Sequence, residues 1–178
     1  MDSDGYLSQL ADIFNGITVN TPSISAIIAI VLAGVLLLAS GFASASEIAF
    51  FSLTPSDRND IDEQNHPSDE KISALLGDSE RLLATILITN NFVNVTIIML
   101  CNFFFMNVFV FHSPLAEFLI LTVILTFLLL LFGEIMPKIY SAQKTLAFCR
   151  FSAPGIYFLE KVFRPIATVL VRSTTFLN

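Results

Sequence analysis

Apolar residues fall in three long blocks along the chain, separated by stretches where charge returns. The first, residues 23–53, is apolar apart from small hydroxyl side chains and Glu47, and it exceeds the roughly 20 residues a helix needs to cross a bilayer. Such a helix must tilt or break, and the run Ser40, Gly41, Ala43, Ser44, Ala45, Ser46 is the expected weak point, where helix backbones can approach closely. The second block covers residues 82–111. The third covers 115–137 after the short loop His112, Ser113, Pro114, and both are long enough to span.

Between the first two blocks lies a polar insert, residues 54–81, with eight acidic and three basic side chains. Ser68 and Asp78 read as N-caps of short helices, the second opening into Arg81, Leu82 and Leu83. The tail, residues 138–178, carries Lys138, Lys144, Arg150, Lys161, Arg164 and Arg172 among apolar residues. Pro154 and Pro165 divide it into pieces too short to span, which places it along the membrane surface. At the other end, Leu7, Leu10, Ile13, Phe14 and Ile17 recur at helical spacing beside Asp2, Asp4 and Asp12, predicting a short helix on the outer surface within residues 1–22. The pattern predicts an all-α membrane protein: three transmembrane helices, a cytoplasmic helical insert and a juxtamembrane amphipathic helix.

Composition agrees with lipid as the solvent, at 54% hydrophobic and 13% charged residues and a mean hydropathy of +0.76. A net charge of -6 offers no basic patch and excludes nucleic acid as the expected partner. Cys101 and Cys149 lack the nearby Cys or His of a zinc site and read as packing residues. All nine Lys and Arg lie in the insert and tail, so those face the cytoplasm, with the amino terminus outside and the protein in the cell (inner) membrane. Ala43, Ser44 and Ala45 mimic a signal-peptidase site, but the amino terminus has no basic residue and the apolar run is too long for a signal peptide.

Each span carries polar groups toward its cytoplasmic half. At about 1.5 Å of rise per residue, Ser44 lies roughly 14 Å from the end of the first block, and Asn90 and Asn94 lie roughly 12 to 18 Å into the second. Glu134 sits four residues before Lys138 at the inner end of the third. Asn90 and Asn94 share one helical face. A hydroxyl, two amide carbonyls and a carboxylate are hard oxygen donors of the kind Mg²⁺ prefers. A second reading stands beside this one: Ser and Asn as hydrogen-bonding glue between helices, with Glu134 and Lys138 as an i, i+4 pair.

Three segments carry a family resemblance. SGFASASEIAFFSL, Ser40 to Leu53, resembles the first-helix motif of the CNNM/CorC (CorB) family's DUF21 transmembrane domain. ERLLATILITNNFVN, Glu80 to Asn94, resembles its second-helix entry, and GEIMPK, Gly133 to Lys138, its Gly-Glu-Ile-x-Pro-Lys signature. With the insert and basic tail, the resemblance covers residues 23–178. It implies a non-enzymatic magnesium transporter acting as a homodimer, exporting the ion and coupled to Na⁺. It further implies a partly dehydrated Mg²⁺ held by Ser44, Asn90, Asn94 and Glu134. Ala45 and Thr89 stand where the family pattern has glycine, so backbone approach and cation preference are expected to differ there.

Family members continue into a pair of cytosolic CBS domains that bind adenine nucleotides, and on that comparison the chain reads as an excised membrane domain. The rival expectation is a membrane anchor or scaffold for such a regulatory domain that transports nothing.

Overall fold

In the computed structural model, the described residues are Ser8, 17–111 and 113–176. The predicted surface helix at the amino terminus lies outside them, apart from Ser8. Three helices are long and apolar enough to cross a membrane. The first, α1 (Ile24–Phe51), begins where the Ser23 hydroxyl accepts the Ala26 N–H, and it runs unbroken through the small-residue stretch. The expected break does not occur there, because alanine, serine and glycine side chains let neighbouring helices press against an intact backbone.

The insert folds into two short helices. At α2 (Pro55–Asp62), Thr54 and Asp57 form a reciprocal capping box with Pro55 in the first turn. At α3 (Asp69–Leu76), Ser68 holds the N-cap position but its side chain makes no capping bond. The Asp69 carboxylate instead reaches back to accept the His66 N–H at 3.0 Å, holding the chain that leads into the helix. The second spanning helix, α4 (Ser79–Val108), opens on Asp78, which accepts the Arg81 N–H at 3.2 Å. It therefore starts three residues earlier than the apolar block.

Beyond α4, β2 (Phe109–Val110) pairs antiparallel with β1 (Thr18–Val19), Thr18 opposite Val110. Two residues per strand leave no readable alternation, so hydropathy could not reveal this clasp. The third span is composite: α5 (Pro114–Leu128), a π-helical stretch (Leu129–Ile135) and α6 (Met136–Gln143). The Met136 N–H reaches back five residues to Leu131 O. This widened turn lies directly ahead of Pro137, whose ring excludes the carbonyl four residues back in a regular helix.

The tail departs from the sequence expectation. It forms one helix, α7 (Thr145–Phe176), with Pro154 and Pro165 inside it. Each proline deletes one backbone bond and can bend a helix without ending it. Both lie on the exposed side, while Cys149, Ser152, Ala153, Ile156 and Ala167 are buried along the packed side and hold the segments in line.

Two apolar cores result. One gathers Phe50, Ile61, Ile72, Leu75, Leu82, Ile86, Cys149 and Ile156, joining the insert and α7 to the C-terminal end of α1 and the N-terminal end of α4. The other gathers Ala33, Val93, Ile97, Cys101 and Leu125 in the opposite half of the bundle. Both cysteines are free and buried, as read from the sequence. Burial pushes the Cys149 thiol up to about 12 despite the adjacent Arg150, which fits a packing residue rather than a reactive one.

Candidate functional site

Between the two cores α1 and α4 meet at a polar layer. Their antiparallel register is fixed at one end by the Ser23 N–H, which donates to Asn107 Oδ1 at 3.3 Å. Further along, the Ser40 hydroxyl donates to Asn90 Oδ1 at 2.8 Å and to Asn94 Oδ1 at 2.7 Å. Asn90 and Asn94 thus do converge on one group. That group is Ser40, fully buried, and not Ser44.

The shift of one turn has a simple origin. Asn90 lies eleven residues into α4 counted from Ser79, and Ser40 lies eleven residues before α1 ends at Phe51. Starting α4 at residue 82 moves the apparent partner one turn toward Ser44. Ser44 itself occupies the same face as Ser40, one turn nearer the insert. Its side chain is fully buried and its Oγ has no hydrogen-bond partner among the described residues. An unbonded buried hydroxyl costs about 1–3 kcal/mol, so its presence asks for a reason.

The third span approaches through its glycine. A Cβ at Gly133 would lie 3.2 Å from Ser40 Oγ, and one at Gly41 would lie 3.0 Å from Pro137 Cγ. One turn on, the Ser141 hydroxyl donates to the Ala45 carbonyl at 2.6 Å. These three contacts run in parallel register along α1. They seat Glu134, half-buried in the π-helical stretch, beside the residue that abuts Ser40. A π turn re-aims the side chains it carries and recurs at functional sites.

Lys138 does not pair with Glu134. Its ammonium lies 3.0 Å from Glu47 on α1, which leaves the Glu134 carboxylate without an ion-pair or hydrogen-bond partner among the described residues. Ser40, Gly133 and the Glu47–Lys138 pair were not singled out from the sequence as site components. The i, i+4 relation of Ser40 to Ser44 was the available signal.

No three His, Cys, Asp or Glu side chains cluster among the described residues. The oxygens that meet in the polar layer, those of Ser40, Asn90 and Asn94, are neutral hard donors.

A separate charged contact ties the insert to α7. Arg150 Nε and Nη2 donate to Asp69 Oδ1 and Oδ2 at 2.8 and 3.0 Å, and the Asp69 side chain is wholly buried. Burial alone would raise the Asp69 carboxyl, but the Arg150 bonds, the His66 N–H and the nearby positive charge outweigh it and hold it below its ordinary value.

A family model described as the cyclin M transmembrane N-terminal domain matches residues 28–178. A UPF0053 protein of Haemophilus influenzae is 31% identical over 134 residues, which is 75% of this chain and 31% of that protein. A UPF0053 protein of Synechocystis is 26% identical over 140 residues, 79% of this chain and 39% of that protein. The chain therefore spans between about a third and two fifths of the length of these relatives.

Proposed function

The chain belongs to the cyclin M transmembrane N-terminal domain family, and on that premise we propose that it transports Mg²⁺ across the membrane as a partly dehydrated ion. The observation that carries the reading is the convergence of Ser40 Oγ, Asn90 Oδ1 and Asn94 Oδ1 within 2.8 Å, between two apolar cores. One hydroxyl has a single proton to offer two carbonyls. A cation entering the layer would bind both Asn oxygens and release that competition.

Ser44, with its unbonded hydroxyl one turn away, supplies a further oxygen, and Glu134 supplies the charge. An ionisable residue within a span is a functional candidate by default. The transport step is then a rearrangement of the three helices around this layer, opening it to one side at a time. Export, driven by a Na⁺ gradient, follows from the resemblance noted above and is measured as Na⁺-dependent Mg²⁺ release from loaded vesicles.

The experiment is a melting curve of the purified chain with and without Mg²⁺. A ligand that binds only the folded state at about 100 times its Kd stabilises it by roughly 2.7 kcal/mol. A melting temperature unmoved by Mg²⁺ up to tens of times a physiological concentration would sink the proposal. It would favour the second reading, in which the Ser40 bonds to Asn90 and Asn94 tie α1 to α4 as interhelical glue in a membrane anchor.

The distribution of Lys and Arg supports an orientation with the insert and α7 on the cytoplasmic side. In intact cells, a membrane-impermeant thiol reagent should label a cysteine placed at position 113 and spare one at 144; the opposite pattern reverses the topology. We also propose that the working unit is a homodimer. Native mass spectrometry in detergent should show twice the chain mass, and a monomer at every concentration would remove that proposal.

A further inference from the structure

A groove runs along the outside of the bundle where α1, the π-helical stretch with α6, and the start of α7 meet. Its volume is about 480 Å³, and its walls are apolar, among them Leu38, Gly41, Phe132, Met136 and Phe151. The Gly41–Pro137 contact sets the depth, because a side chain at 41 would hold the helices apart. At its end the groove adjoins a second hollow of about 270 Å³, which shares Tyr140, Phe148 and Phe151 and adds Lys144.

Among the described residues no carboxylate lines either hollow. Lys144 is exposed and has no ion-pair partner among the described residues.

We propose that this groove binds one phospholipid with a net anionic headgroup, an acyl chain lying in the apolar trough and the headgroup at Lys144. The dimensions agree. From Leu37 to Ala45 the trough follows α1 for roughly 12 Å at 1.5 Å per residue, against about 15 Å for one leaflet of a 30 Å hydrocarbon core. A smooth helix face would need only loosely ordered lipid beside it. A concave apolar surface of this depth loses dispersion contacts unless a flexible chain fills it.

The polar end also fits. Tyr140 and Lys144 follow the apolar stretch of the third span, the position where aromatic and cationic side chains reach the headgroups. A lone cation with no acid beside it selects lipids by charge. Neither Asn90 nor Asn94 lines the groove, so the proposal stands independently of the ion reading.

The test is native mass spectrometry of the whole chain in detergent with added phosphatidylglycerol or phosphatidylcholine of identical acyl chains. One retained lipid per chain is expected, with about a fivefold preference for phosphatidylglycerol, the worth of a single cation near a lipid surface. Lys144→Gln should bring the two lipids to parity while binding persists. Leu38 is 77% exposed, so Leu38→Trp can enlarge into the trough without burial strain and should expel both lipids.

Equal binding of the two lipids to the parent chain would overturn the proposal, as would full lipid retention by a folded Leu38→Trp variant. Lipid-free protein whose Leu38→Cys variant cross-links to a second copy would also overturn it and assign the groove to a subunit interface. Should Leu38→Trp fail to fold, the Lys144→Gln ratio decides alone: an unchanged preference rejects the headgroup site.

Discussion

Replacing Glu134 by Gln is expected to weaken Mg²⁺ binding by more than about 100-fold, since even outer-sphere partners of a metal site cost roughly 10–100-fold when removed. The substitution keeps the side chain's shape and one oxygen donor but removes the only formal charge proposed for the layer. Lys138 cannot compensate, being held by Glu47 at 3.0 Å. Asn94→Ala should cost less affinity, because Ser40 and Asn90 remain as neutral donors beside the carboxylate.

If the polar layer is only glue, the ordering changes and moves to stability. Asn94→Ala then loses an interhelical bond worth roughly 0.6 kcal/mol, while Glu134→Gln removes a charge with no partner among the described residues and leaves the fold as stable or more so. Calorimetric titration of both variants, with their melting curves, separates the two cases. Parent-like Mg²⁺ affinity in Glu134→Gln would show that the ion is held elsewhere.

Arg150→Met should destabilise the fold by about 3–5 kcal/mol, the usual cost of removing one partner from a buried ion pair. For a chain of this size that corresponds to a fall of roughly 10 °C in melting temperature. The cost arises because the Asp69 carboxylate is wholly buried and would keep only the His66 N–H.

The pH dependence carries the sign of the effect. In the parent, the Asp69 carboxyl titrates below its ordinary value, so the pair's contribution is complete above about pH 4 and is lost as pH falls through the folded value. In the variant, burial without the guanidinium raises the same carboxyl, so the variant loses stability as pH rises toward neutrality. The gap between the two melting curves is therefore widest near pH 7 and narrows toward pH 4. A gap independent of pH would mean that Arg150 acts through packing of its stem alone.

Several features were legible in the sequence because they depend on local composition. The three spans follow from the lengths of the apolar blocks, and Asp78 was legible as an N-cap from capping chemistry confined to four residues, though the helix it opens is α4 itself rather than a separate short one. The pairing of Asn90 with Asn94 follows from helical periodicity, which places residues four apart on one face. The burial of Cys101 and Cys149 follows from their apolar surroundings.

What the sequence left open depends on register and on distant partners. A three-residue change in where α4 begins exchanges Ser44 for Ser40 as the hydroxyl between the two Asn residues, and apolar length cannot fix a helix end that precisely enough to decide. Lys138 had a carboxylate four residues away in Glu134, yet it pairs with Glu47 because α6 packs in parallel beside α1, a neighbour no local pattern specifies. Pro154 and Pro165 predicted breaks in the tail, and packing of Cys149, Ala153 and Ile156 against the insert keeps the helix whole.

By itself the sequence determined that this chain lives in a membrane, how many times its helices can cross, and which hard-oxygen side chains each helix carries, since those are properties of residues counted along one helix. Only the tertiary structure decided which of them touch, because contact between helices is set by where each helix starts, how closely Gly41 and Gly133 let them approach, and which charge finds which across the interface.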